Sequence, residues 1–293
     1  TEKVSKGHTQ TILSKAFSPD GTMFASGSWD TTICIWDTNT GELKHKLQDH
    51  TNTVNSVIFS SNSQMLASSS QDGTICVWNA ETGICICTIT GHTSTINSAI
   101  LSPNGKILVS GSYDGMIRLW DIGTGICLYT LRDHRFSVNS LVFSPNGTIL
   151  VSGSSDRTIR LWDVAAGRLL KTLEGHQDVV YSAILSPNDK MIASCSSDQT
   201  IRLWDTNTGQ YLRTLDDNTR SINSIIFSRD SKMLVSCSSD LTIRLLNTET
   251  GECLQAFTGL TSPIISITLS PDDKILAFCL RDNIIRLWNY KTG

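Results

Sequence analysis

Six tryptophans fall on one interval. Trp36, Trp78, Trp120, Trp162 and Trp204 are spaced 42 residues apart, and Trp288 follows after 84, with Leu246 in the vacant place. A large apolar side chain recurring at one period means that one supersecondary unit is copied along the chain. Seven such units account for essentially all 293 residues. The chain therefore reads as one domain, 1–293, with no length left for a linker. A unit this short cannot bury its apolar side alone and must stack on its neighbours.

Each unit has four short runs rich in Ile, Val, Leu and Thr, separated by turn chemistry. In the third unit the runs are residues 96–101, 106–112, 116–120 and 126–131. Between the first two lies Ser102-Pro103-Asn104-Gly105, with close copies at Ser18-Pro19-Asp20-Gly21 and Ser144-Pro145-Asn146-Gly147. Proline presets φ and Asn-Gly or Asp-Gly accepts positive φ, so these are hairpin turns. Tyr113-Asp114-Gly115 and the Gly-ended stretch 121–125 make the other two turns. Helical periodicity is not sustained anywhere, so the chain reads as almost entirely β. Seven four-stranded units match an all-β, seven-bladed β-propeller of antiparallel blades. The last unit stops before its fourth run, and residues 1–6 precede the first unit. These residues are expected to supply the outer strand of the last blade and close the ring.

With these residues assembled, the sequence resembles the WD-repeat family over its whole length. Trp-Asp stands at 36–37, 120–121, 162–163 and 204–205, and Trp-Asn at 78–79 and 288–289. Gly-His stands at 7–8, 91–92 and 175–176, with Asp-His at 49–50 and 133–134. The resemblance implies a buried chain of His, Ser, Asp and Trp in each blade. The sets are His8, Ser26, Asp30, Trp36; His50, Ser68, Asp72, Trp78; His92, Ser110, Asp114, Trp120; His134, Ser152, Asp156, Trp162; and His176, Ser194, Asp198, Trp204. Five copies of one His-Ser-Asp set argue for structure over catalysis. Blade six carries Asn218, Ser236, Asp240 and Leu246, and blade seven Leu260, Phe278, Asp282 and Trp288. Both are expected to fold, with blade six the more weakly held.

Charge and cysteine use narrow the function classes. The net charge of −3 offers no basic surface for phosphates. Arg118, Arg160, Arg202, Arg244 and Arg286 recur one per blade, spread rather than clustered. Their heads are expected to reach solvent or acids, so nucleic acid is not an expected partner. No apolar run reaches the roughly 18 residues of a membrane span. Cys34 and Cys76, and Cys195, Cys237 and Cys279, repeat at the 42-residue interval. Thiols recurring in register act as small packing residues. Without a CxxC pair, neither a metal nor a cofactor is expected. The odd count of nine suits a reducing, cytoplasmic compartment.

The resemblance also implies a partner-binding face around the central channel, with two informative positions per blade. One precedes the turn Asp and holds Trp29, Gln71, Tyr113, Ser155, Ser197, Ser239 and Arg281. The other lies near the start of the first strand and holds Leu13, Asn55, Asn97, Asn139, Tyr181, Asn223 and Ile265. Trp, Tyr and Arg are enriched at binding hot spots, and Asn supplies both donors and acceptors. Trp29, Tyr113, Tyr181 and Arg281 are the expected anchors, with Gln71, Asn55, Asn97, Asn139, Asn223 and the rim residue Phe136 beside them. The expected function is a monomeric, non-enzymatic scaffold that binds a protein or peptide. The alternative is a sensing or autoinhibitory module of a larger protein, linked to a nucleotidase or kinase domain. An enzyme with a propeller pocket would need a strongly perturbed polar pocket, which the sequence does not display.

Overall fold

The computed structural model describes residues 7–215, 220–260, 262, 264–270, 273, 275–280 and 285–289. The closing strand expected from residues 1–6 lies outside the described residues. The described chain is β-strand and turn throughout, and its sheets are the blades of an all-β, seven-bladed propeller. It divides into two compact units, residues 1–138 and 139–293.

Three antiparallel sheets make up the first unit. The first contains Ile12–Phe17, Met23–Ser28, Ile33–Asp37 and Leu43–Leu47; the second Val54–Phe59, Met65–Ser70, Ile75–Asn79 and Cys85–Ile89; the third Ile96–Leu101, Ile107–Ser112, Ile117–Asp121 and Cys127–Leu131. Strands pair in chain order, first to fourth, in each sheet. The second unit repeats the plan from the strand Val138–Phe143 onward, through sheets that include Ile149–Ser154, Met191–Ser196 and Met233–Ser238. Its last sheet has three strands among the described residues, Ile264–Leu269, Ile275–Leu280 and Ile285–Asn289.

Burial varies across each sheet in a way the sequence explains. The second strand is almost wholly buried, the first alternates, and the fourth is exposed over much of its length. The core therefore lies between consecutive sheets. Ala25, Ile33 and Ile35 of the first sheet meet Val54, Leu66 and Trp78 of the second. Ala67, Ile75 and Val77 of the second meet Ile96, Leu108 and Trp120 of the third. In the second unit, Val151, Ile159 and Leu161 meet Val180, Ile192 and Trp204, and Val235, Ile243 and Leu245 meet Ile264, Leu276 and Phe278.

Neighbouring sheets approach tightly at one point of the second strand. A Cβ on Gly27 would sit 2.6 Å from Val54 Cγ1, and one on Gly153 would sit 2.8 Å from Ser140 Oγ and 3.0 Å from Val180 Cγ1. The same register position holds Ser69, Gly111, Cys195 and Cys237. Small residues hold this position in all these blades, and the recurring Cys195 and Cys237 belong to the series. Cys195 and Cys237 are fully buried, and burial pushes the Cys195 thiol far above its ordinary range.

Turn geometry repeats as strictly as packing. Positive φ occurs at Gly21, Ser63, Gly105, Gly147, Asp189, Ser231 and Asp273, the same place in seven consecutive turns. It recurs after the turn aspartate at Thr31, Gly73, Gly115, Arg157, Gln199 and Leu241. Positive φ is strained for a β-branched side chain, so the second blade satisfies this turn with Gly73 more comfortably than the first does with Thr31.

Candidate functional site

The implied hydrogen-bonded chains are present and buried. In the second blade His50 Nδ1 lies 3.1 Å from Asp72, His50 Nε2 lies 2.8 Å from Ser68 Oγ, and Trp78 Nε1 donates to the same Oγ at 2.8 Å. The first, third and fifth blades repeat it. His8, His92 and His176 each touch their serine at 2.7–2.8 Å and their aspartate at 2.8–3.2 Å. In the fourth blade Trp162 Nε1 donates to Ser152 Oγ at 2.9 Å and His134 is buried.

Electrostatics give these chains a direction. Burial pulls His8, His50, His92 and His176 below the ordinary histidine value, and the facing aspartate offsets this only in part. The imidazole is therefore neutral at pH 7. Where the single N–H of His50 or His176 faces its carboxylate, Nε2 accepts from the serine hydroxyl, which in turn accepts from the tryptophan; at His92 the Arg118 guanidinium also meets Nδ1. Burial works against ionisation of Asp30 and Asp198. Hydrogen bonds from Thr32 and Thr9, and from Thr200 and Gln177, outweigh it and hold both carboxyls down at about 2. Every polar atom is engaged and the serines are at most 1% exposed. No substrate can reach such a serine, so these sets are framework.

The last two blades depart from this pattern. Ser236 Oγ is buried and finds no hydrogen-bond partner among the described residues. Leu246 has replaced the tryptophan donor and packs in an apolar cluster with Phe227 and Leu234. Asn218 lies outside the described residues. In the seventh blade Phe278 and Leu260 join Trp288 in one apolar cluster, and Phe257 meets the Trp288 ring edge to face at 3.6 Å. Asp282 is outside the described residues.

Where arginine heads can be followed, they turn to neighbouring side chains. Arg118 pairs with Asp114 at 3.4 Å and Arg244 with Asp240 at 3.0 Å. The Arg202 guanidinium lies 5.7 Å from the Tyr211 ring centroid. The acid that anchors a turn thus also neutralises an arginine four residues further along the chain, on the strand that follows.

The partner-facing positions divide into two groups. In the first unit Trp29 is 52% exposed, Tyr113 68% and Phe136 63%, and Gln71 is exposed as well. Their backbones are held: Trp29 N donates to Thr11 O at 2.9 Å, Gln71 N to Thr53 O at 2.9 Å, and Tyr113 N to Thr95 O at 2.8 Å. The Trp29, Gln71 and Tyr113 side chains therefore project from fixed turns. In the second unit Tyr181 is 41% exposed, while Ser197 and Ser239 are partly covered. Arg281 lies outside the described residues.

The asparagines have a structural task that sequence reasoning missed. Asn55 Nδ2 donates to Ile96 O at 2.9 Å, Asn97 Nδ2 to Val138 O at 3.1 Å, Asn139 Nδ2 to Val180 O at 2.9 Å, and Asn223 Nδ2 to Ile264 O at 2.9 Å. Each acceptor is the first residue of the next blade's first strand. Asn97 Nδ2 also donates to Ser137 Oγ and Asn139 Nδ2 to Ser155 Oγ. The four carboxamides are latches between consecutive blades. Their recurrence at one register position was the available signal, since framework residues repeat and recognition residues vary.

Comparison with known proteins agrees with this geometry. Residues 1–37, 41–79 and 83–121 match the family described as WD domain, G-beta repeat. Residues 137–293, more than half of the chain, match the family described as IFT122 first beta-propeller. Among individual proteins, the chain is 56% identical over 34 residues to Protein Notchless of Drosophila melanogaster, covering 12% of this chain and 7% of that one. It is 51% identical over 35 residues to Protein Mut11 of Chlamydomonas reinhardtii, 12% of this chain and 10% of that one. It is 49% identical over 41 residues to the Probable cytosolic iron-sulfur protein assembly protein Ciao1 of Culex quinquefasciatus, 14% of this chain and 12% of that one. The matched stretch thus spans about a tenth of these relatives, the length of one repeat. With repeat matches in the first three units and a propeller match from residue 137 onward, this chain belongs to the WD-repeat β-propeller family.

Proposed function

We propose that the chain is a scaffold that binds a protein or peptide, and that the turn face of its first unit supplies the main contacts. The observation that carries this reading is the exposure of Trp29 and Tyr113 on backbone that is already hydrogen-bonded in place, with the exposed Phe136 in the same unit. Large rigid side chains on a fixed frame lose little entropy when a partner covers them. The turn aspartates beneath, Asp30, Asp72 and Asp114, are engaged by their own blades. The surface offered is therefore aromatic and neutral-polar, with Arg135 beside Phe136. Such a surface suits an apolar or aromatic peptide segment; in the second unit Tyr181 is exposed. One relative carries the word assembly in its name, which fits a scaffold. No catalytic step is part of the proposal, and neither nucleic acid nor membrane is part of it. No helix in the described residues is long and apolar enough to cross a membrane.

Peptides selected from a random display library on the immobilised chain test the reading. Their affinities would be measured by fluorescence anisotropy for the native chain and for Trp29→Ala/Tyr113→Ala/Phe136→Ala. Loss of even one hot spot lowers affinity by about 30-fold. Because few charges are offered, raising salt should change binding little. Selected peptides that bind the triple variant with undiminished affinity would overturn the proposal.

A further inference from the structure

The repeat lets the outer strands be compared position by position. The first blade's outer edge reads Glu42-Leu43-Lys44-His45-Lys46-Leu47, the fourth blade's carries Arg168 and Lys171, and the fifth's carries Arg213. The second and third blades read Gly83-Ile84-Cys85-Ile86-Cys87-Thr88-Ile89 and Gly125-Ile126-Cys127-Leu128-Tyr129-Thr130-Leu131, with no charged residue in either stretch. Ile84 and Ile86 are 66% and 54% exposed, and Ile126 and Leu128 are 61% and 45% exposed. Both strands stand last in their sheets.

An edge strand presents N–H and C=O groups to any extended chain, and proteins guard such edges with lysine, proline or a bulge. The bulge next to the tryptophan is present here at Trp78 and Trp120, as it is in the other blades at Trp36 and Trp204. Charge is the guard that these two blades lack. Its absence decides which partner fits. When an edge pairs antiparallel with its own copy, each residue meets the same sequence reversed, and like charges face to face are destabilising. The first blade's edge would bring lysines against lysines. The second and third edges bring Ile, Thr, Leu and Cys against one another, without repulsion and with high strand preference.

We propose that the uncharged outer edge of the second and third blades is a self-association surface that pairs two copies of this chain edge to edge. The four exposed Ile and Leu side chains offer well below the ~800 Å² per partner of a stable interface. The dimer is accordingly weak and forms only at high concentration, which departs from the monomer expected from sequence.

Sedimentation velocity of the full chain from about 1 to about 500 µM, with reductant to keep the exposed Cys127 thiol free, tests the proposal across the weak-affinity range. The native chain is expected to gain mass with concentration. Ile86→Lys/Leu128→Lys, which places lysine where the first blade has Lys44, is expected to remain monomeric. Leu170→Lys, at the same register position on the fourth blade and 43% exposed, is expected to associate like the native chain. Circular dichroism melts confirm that each variant is folded. If the double variant fails to fold, Ile84→Lys, outside the strand proper, takes its place. A native chain that stays monomeric throughout, or a folded lysine variant that still dimerises, overturns the proposal.

Discussion

Two serines at the same register position should respond oppositely to removal of one oxygen. Ser68 Oγ is fully buried, accepts from Trp78 Nε1 at 2.8 Å and lies 2.8 Å from His50 Nε2. Ser68→Ala leaves a donor and an acceptor buried without partners. Each such orphan costs about 1–3 kcal/mol, so the pair costs about 2–6 kcal/mol. Ser236 Oγ is equally buried but has no partner among the described residues. Ser236→Ala removes a hydroxyl that has no partner among the described residues and should be neutral or stabilise by up to about 1 kcal/mol. Urea unfolding followed by tryptophan fluorescence reads the difference as a midpoint shift at constant slope. In a Trp78→Phe background the effect of Ser68→Ala should shrink, because one of the two orphans has already been removed from the pair. Equal losses at Ser68 and Ser236 would refute the claim that these sets hold the blades through paired polar atoms.

Acid should weaken the fold in two stages. His8, His50, His92 and His176 titrate below the ordinary histidine value of 6.5 when folded, because burial disfavours the charged ring. Below pH 6.5 the unfolded chain therefore binds more protons than the folded one, and stability falls as pH falls. Asp30 and Asp198, held at about 2 against an ordinary 3.8, add a second loss as pH drops below 4. A thermal midpoint that stays flat or rises from pH 7.5 to 5.5 would contradict the first stage. Thr31 has φ of 69°, and left-handed geometry costs an L-residue about 1–2 kcal/mol. Thr31→Gly should therefore stabilise by about 0.5–1 kcal/mol after the extra unfolded-chain entropy of glycine, read by the same urea titration; destabilisation would show that the threonine side chain holds the turn.

Most of the frame was legible because it repeats. The first strand of the third blade falls on the residues expected from the sequence, Ile96–Leu101, and the other three begin within a residue of expectation at Ile107, Ile117 and Cys127. Turn residues fixed those boundaries, since proline and Asn-Gly act locally. Tertiary tasks were harder to read. Asn55, Asn97, Asn139 and Asn223 looked like donors offered to a partner, yet their Nδ2 groups reach the next blade. A donor's target across 41 residues of chain leaves no mark in the local sequence. Trp29 and Tyr113 were easier, because a large aromatic in a turn that elsewhere holds serine has no framework reason to be there. Both are exposed in the fold, as the proposal requires, while the two uncharged outer edges show only where burial and the repeat are compared.

The narrow contact at Gly27, Ser69, Gly153 and Cys195 works as a size gauge for evolution. Whole repeats can be duplicated or exchanged, because each arrives with its own small residue and its own spacing. A single substitution there to anything bulkier presses on several packed side chains at once, Val54 and Val57 beside Gly27 and Ser140, Val180 and Ala183 beside Gly153. Diversity in such a chain therefore accumulates by copying units and altering their rims, while this one column stays closed to drift.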